Sequence, residues 1–390
     1  MKERKLLTVV TVVVTLLALT LGLAVTSYAD KAPKPLMVNG HQMFLGLAAH
    51  SVRNVWEDLY VKAFNWYCAD NGIRSTWTEA GYDTATQITQ AKRLIDMGID
   101  GLIISPWDVK ALAVVMDYAK AHNVPVICTN TVVDSDYPLM FVGFGQKQAG
   151  AQLAQRIVDY LKNNVDPVGE VQGTVLELSS GPGTSEDIMR GGGFHDIVDQ
   201  YPGIKVVTQV AHSSREEAKT ATLNVIRGGE KFDAVFAQNG SMALGADEAL
   251  KDAPGITPKD VFIATVDAFP QICDEIGAGN IDVAVDQTPA FYNPIAVYYM
   301  VKYLQEGSSA LPDYGQTINA TDLPIDTGVQ HMGLDPWKDP MWAPATIRHM
   351  TDFSSDITHD YRWFQTSAVV VTKDNYDSPL LWGNFPIPGW

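Results

Sequence analysis

Cysteine is scarce in this chain of 390 residues, with only Cys68, Cys128 and Cys273. Three thiols cannot all pair within one chain, and their spacing fits no zinc or redox motif. They read as small apolar core residues. Positive charge is also short: 28 Lys and Arg stand against 45 Asp and Glu, a formal net charge of −17. That argues against a nucleic-acid partner, because phosphate binding needs a concentrated positive surface. The recurring signatures of catalysis are missing as well. There is no HExxH, no GxSxG elbow, no GxxxxGK[ST] loop and no GxGxxG after the first strand, and the eight histidines show no ligand spacing. No catalytic residue, cofactor or metal is expected, and nothing asks for an enzyme.

Only one long apolar run exists, and it lies at the start. Lys2, Arg4 and Lys5 precede the apolar stretch Leu6–Val25, and Ser27-Tyr28-Ala29 follows as a small-x-small cleavage pattern. This predicts an export signal, residues 1–29, cleaved after Ala29, and hence a periplasmic protein that meets the membrane only through a partner. At about 20 residues the stretch is also long enough to span a bilayer, so a retained anchor is the alternative. No Cys lies near it to carry a lipid.

Beyond a Pro-rich leader (30–42), two periods alternate. Short apolar runs read as buried strands at 44–49, 101–105, 125–128, 139–144, 174–178, 205–210, 233–237, 261–266 and 282–285. Amphipathic helical segments lie between them, as with Val55, Leu59, Ala63 and Tyr67. Asn71-Gly72 and Met97-Gly98 punctuate helix ends. Strand–helix–strand repetition implies parallel sheets covered on both faces. Nine or more strands make one sheet improbably wide, so two doubly wound α/β lobes are expected. Residues 312–365, rich in Pro, Trp, Asp and His, hold no sustained period, and 321–365 reads as an irregular insertion before a last strand at 367–372.

Polar side chains gather where strands end. VFAQNG (235–240) stops on Asn239, ATVDAFP (264–270) on Asp267, AVDQTP (284–289) on Gln287, and PVICTN (125–130) on Asn130. Each alone is a common turn residue. Four together, at the carboxyl ends where open α/β sheets bind ligands, suit a cluster of ligand hydroxyls. SSGPGTSEDIMRGGGF (179–194) lacks the P-loop pattern, and acidic Glu186 and Asp187 in the first helical turn disfavour an anion there. Arg190 is either a surface partner of Glu186 at four-residue spacing or a site residue. GLAAHSVRNVWEDLY (46–60) and SPWD (105–108) place Ser51, Arg53, Trp56 and Trp107 near two further strand ends. An indole there is either core or a platform for the C–H face of a sugar ring.

Taken together and in this order, GIDGLIISPWD, PGTSEDIMRGGGF, YPGIKVV and VFAQNGSMALGA resemble the ribose-type periplasmic sugar-binding proteins, the type I solute receptors of ABC transporters. The likeness runs from about Leu45 to Gly307 and returns at Val369–Asn375. It implies two lobes joined by a three-stranded hinge, with crossings near Gly143–Gly145, Gln287–Pro289 and after Gly307. Lobe 1 would comprise 43–144 plus 288–320, and lobe 2 145–287 plus 366–380. By the same resemblance Trp56, Asn130, Arg190, Asn239, Asp267 and Gln287 bind the ligand, with Ser51, Arg53 and Trp107 as lesser candidates. The family's Asp-Arg pair after the PVxxx strand is here Asn130-Thr131, its first stacking aromatic is Val55, and a third aromatic near Ser213 is missing. The expected function is delivery of a monosaccharide, polyol or cyclitol to an ABC permease. An anchored sensor or chemoreceptor input protein is the alternative.

Overall fold

A computed structural model describes residues 33–387 apart from 166–168, 327, 334, 336, 339, 355 and 356. The expected signal, its cleavage site and any anchor lie outside the described residues. Strands in the first half are β1 (Met37–Val38), β2 (His41–Gln42), β3 (Phe44–Ala49), β4 (Arg74–Glu79), β5 (Gly101–Ile104), β6 (Val126–Thr129), β7 (Met140–Phe144) and β8 (Gln172–Ser179). Those that follow are β9 (Gly203–Val210), β10 (Ala234–Ala237), β11 (Phe262–Val266), β12 (Val283–Asp286), β13 (Thr317–Ile318), β14 (Ala345–His349), β15 (Arg362–Thr366) and β16 (Val369–Val371).

They form two main sheets. The first has the order β13-β14-β15-β7-β6-β5-β3-β4 and the second β16-β12-β11-β10-β8-β9, with β1 and β2 as a separate hairpin inside the stretch expected to be a leader. In the first sheet successive side chains serve opposite faces, as the pleat requires. Leu45 and Leu47 join one apolar cluster with Trp56, Tyr60 and Phe64, while Phe44, Ala48, Leu102 and Ile104 join another with Leu94 and Met116. Each Leu, Ile, Phe or Met side chain among them, fully buried, contributes roughly 1.5–3 kcal/mol.

The chain passes between sheets three times. Gly145 links β7 to the helix Gln146–Asn164 on the second lobe, Gln287-Thr288 link β12 to the helix Pro289–Glu306 on the first, and Ser367-Ala368 link β15 to β16. Asn130, Asn239, Asp267 and Gln287 sit just past the carboxyl ends of strands, and Trp56 and Arg190 in the helical segments that follow such ends, so both lobes present their functional rims to one crevice.

The expectation of an irregular 321–365 is corrected. Within it β14 pairs antiparallel with β15, and β15 pairs parallel with β7, so this segment widens the first sheet. Trp363 and Phe364 go to opposite faces, and the Trp363 indole donates to Gly143 O at 2.9 Å. Strands of five residues with Arg, His and Gln at exposed or half-exposed positions leave no apolar run to read. The edge strand β4, RSTWTE, escaped notice for the same reason: no residue in it is fully buried.

Candidate functional site

Arg190 lies in a single turn of π-helix, Asp187–Gly191, a conformation frequent at functional positions. Thr184 Oγ1 accepts the Asp187 N–H at 3.1 Å and opens that turn. Two glycines let it press on the helix Gln146–Asn164: a Cβ on Gly150 would come within 2.0 Å of Arg190 O, and one on Gly193 within 2.0 Å of Lys147 O. The guanidinium, 1% exposed, donates from Nε to Gln146 Oε1 at 2.8 Å and from Nη1 to Gln238 O at 2.7 Å. Glu186 Oε1 and Asp267 Oδ2 lie 3.5 and 3.7 Å from Nη1. The pairing with Glu186 is therefore real but buried, which corrects the surface-pair alternative.

Asn239 combines the turn role with a place in the crevice. Its Oδ1 caps the helix Gly240–Asp252 through Met242 N at 3.0 Å, while its Nδ2 donates to Glu186 Oε2 at 3.2 Å within the crevice. Glu186 Oε2 also receives the hydroxyls of Ser180 and Ser213. Asp267 has φ +75°, a left-handed backbone that is uncommon outside glycine and is held here by Asp267 N donating to Val285 O. Gln287 donates to Asp267 Oδ1 at 2.8 Å and accepts the Tyr292 hydroxyl at 2.7 Å, so part of its side-chain amide is used in positioning Asp267.

From the first lobe, Asn130 is likewise left-handed, at φ +63°. Its backbone N–H donates to Val142 O and its carbonyl accepts Gln146 Nε2, which aims the side chain into the crevice. Asn130 Oδ1 is buried with no partner. Trp56 donates its indole N–H to Gln287 O at 3.1 Å and stacks on Tyr60 with centroids 5.4 Å apart. Beside it, Glu57 closes a capping box with Asn54, accepts the Tyr82 hydroxyl and lies 3.3 Å from His50 Nε2.

These carboxyls differ in their electrostatics. Burial pushes the Glu57 carboxyl up, but the hydrogen bond and charge of His50 and the hydroxyl of Tyr82 outweigh it and leave the group below the ordinary range. Burial raises Asp267 to about 6 against the pull of Arg190 and Gln287, with Glu186 and Glu57 adding to the rise. Next to the crossing, burial raises Asp286 to about 8, and its Oδ2 has no partner.

Trp56, Asn130, Arg190, Asn239, Asp267 and Gln287 all line one inner cavity of about 20 Å³, with Glu57, Glu186, His50 and Tyr82 among the other walls. That is room for about one water molecule. A ring-sized guest must therefore hold the lobes further apart than they stand here. An outer cleft of about 670 Å³ shares Asn54, Tyr82, Ser241 and Phe269 with it and holds Arg53 and Trp107. Ser51 lines neither; its hydroxyl accepts Arg53 N at the helix entry. The lobes meet across the crevice where Asp108 bridges Thr184, and where Met189 of the second lobe joins an apolar cluster of the first.

Sequence reasoning missed His50, Tyr82 and Glu57 as wall residues. His50 left a signal as the polar residue directly after the strand 44–49, and Glu57 left the Asn54-x-x-Glu57 capping box, which marks a helix start without saying which way the carboxylate faces. Among the described residues no group of three His, Cys, Asp or Glu could hold a metal ion.

The periplasmic binding protein domain model matches residues 45–309. The chain belongs to that family. Its members are binding proteins rather than enzymes, and membership implies a periplasmic location and the type I fold of two parallel-sheet α/β lobes. Among similar proteins is the ribose import binding protein of Bacillus subtilis, 28% identical over 259 residues, which covers 66% of this chain and 80% of the relative. The xylitol-binding protein of Mycolicibacterium smegmatis is 32% identical over 189 residues, 48% of this chain and 52% of that one. A solved galactofuranose binding protein shares the fold at TM-score 0.68 with 18% identity, covering 87% of this chain and 97% of the other.

Proposed function

We propose that this family member is the soluble receptor of a carbohydrate ABC importer, taking a monosaccharide, polyol or cyclitol between its lobes and presenting it to a membrane permease. One observation carries the reading: strand-end side chains from both lobes converge on a single polar cavity at the crossing strands. The relatives add support, being named for the import or binding of ribose, xylitol and galactofuranose. Trp56 and Asn130 act from the first lobe, Arg190, Asn239 and Asp267 from the second, and Gln287 from the crossing.

Mechanism follows from that division. With the lobes apart, each rim is wet. A ligand that bonds both rims favours closure by the difference in its contacts with the two states, and the crossings at Gly145, Gln287-Thr288 and Ser367-Ala368 absorb the rotation. The permease then reads the closed form. The export signal is removed after Ala29, which frees the receptor from the membrane. An anchored sensor is less favoured, because the named relatives are import and binding proteins.

A thermal-shift screen across pentoses, hexoses, polyols and cyclitols tests the reading. A true ligand at a hundredfold excess over Kd stabilises by about 2.7 kcal/mol, and mass spectrometry should recover it unchanged. If no such compound stabilises the protein, the reading fails.

A further inference from the structure

The walls of the inner cavity are out of electrical balance. Glu57, Glu186 and Asp267 face it with a single guanidinium, Arg190. All four are at least nine-tenths buried, and even a proton on His50 leaves the carboxylates in the majority. Buried charge of one sign is expensive unless something of the other sign sits beside it. Arg190 is shared among several groups: its Nε serves Gln146 and its Nη1 serves Gln238 O, while Glu186 and Asp267 lie 3.5 and 3.7 Å from that same Nη1.

A second observation is independent of charge. Asn130 lines the same cavity, is 3% exposed, and its Oδ1 has no hydrogen-bond partner. It is an acceptor without a donor.

We propose that the ligand of this cleft carries a protonated amine on a polyhydroxylated skeleton, an amino sugar or amino cyclitol, whose ammonium sits among Asn130 Oδ1, Asp267 and Glu186. The proposal rests on the receptor reading above and narrows its ligand class. An ammonium has three N–H donors and one positive charge, which answers both the open acceptor and the excess of carboxylates. A neutral sugar answers only the first. The raised pKa of Asp267 agrees, since it marks a carboxylate whose charge is not fully met. The formal net charge of −17 favours approach of a cation.

Matched pairs decide it. Calorimetry at pH 7 compares glucosamine with glucose, galactosamine with galactose and an inosamine with myo-inositol, with N-acetylglucosamine as the uncharged control. The expected result is at least one amine bound tenfold or more tightly than its hydroxyl partner, with the advantage lost on acetylation. Glu186→Gln, once circular dichroism shows it folded, should bring that ratio towards one, and an unchanged ratio counts against the assignment. A hydroxyl compound bound as tightly as its amine overturns this proposal and leaves the receptor reading standing. If the wild type binds no polyhydroxylated compound, charged or neutral, both fall.

Discussion

The two rims that face each other are built on different principles. The second lobe supplies a mesh of mutually bonded polar groups, in which Arg190, Glu186, Asn239 and Asp267 hold one another through Gln146, Gln238 and Gln287. The first lobe supplies aromatic faces, Trp56 and Tyr82, with one carboxylate whose oxygens are already committed to a capping box and a hydroxyl. A mesh is stiff but fails as a unit. Separate aromatic groups fail one at a time. Mutations should therefore be severe on one rim and graded on the other.

The most damaging change expected is Arg190→Ala. It strands Glu186 and Asp267 in a buried site and leaves Gln146 Oε1 and Gln238 O without a donor, so stability should fall by about 3–5 kcal/mol. Ligand binding should drop by more than about 100-fold, since every partner of the mesh shifts. Denaturant melts and calorimetry read the two effects. A loss no greater than that of a first-lobe aromatic would erase the contrast between rims.

Next comes a pH effect at the crossing. The folded-state pKa of Asp286, about 8, lies above the ordinary 3.8, so between these values the native protein holds a proton that the unfolded chain has released. Stability therefore falls as pH rises towards 8, with a slope approaching about 1.4 kcal/mol per pH unit from this group. Asp286→Asn should flatten the decline between pH 6 and 8 in melts followed by circular dichroism. An unaltered slope removes Asp286 from the account.

Gly150→Ala tests whether the second rim depends on close backbone packing. The added methyl carbon meets Arg190 O at 2.0 Å, and relief of that overlap should cost about 1–3 kcal/mol and weaken binding in step. A smaller effect is expected for Trp56→Phe, which keeps an aromatic ring but deletes the bond to Gln287 O: about 1 kcal/mol, or roughly fivefold in affinity. The least is expected for Arg53→Ala at the mouth, within about 0.5 kcal/mol. If Arg53 proves as important as Trp56, the outer cleft rather than the inner cavity holds the ligand.

Much of this was legible in the residues. Parallel sheets follow from apolar runs alternating with helical periods, and the four strand-end residues named from sequence, Asn130, Asn239, Asp267 and Gln287, line one cavity because strand ends of a parallel sheet must face the same way. His50, directly after the strand Phe44–Ala49, stood where the same rule points, but Glu57 and Tyr82 were not legible. They come from a helix entry and a turn, where orientation is set by tertiary contacts that leave no period. Tyr82, at φ +66° after Gly81, is placed by a turn that no alternation announces. The strands β14 and β15 hid behind polar outward positions. Their apolar halves have meaning only once β7 is known to lie beside them.

The carboxy-terminal segment reaches back to the crossing. The Trp382 indole N–H donates to Asp286 Oδ1 at 2.8 Å, and Gly383 lies so close to Ala268 O that a Cβ would approach it to 2.3 Å. The last described turn thus acts as a peg driven in behind the pivot, one residue from Gln287. Anyone attaching a fluorophore, an affinity handle or a surface tether at that end would be pulling on the axle of the molecule rather than on an idle tail.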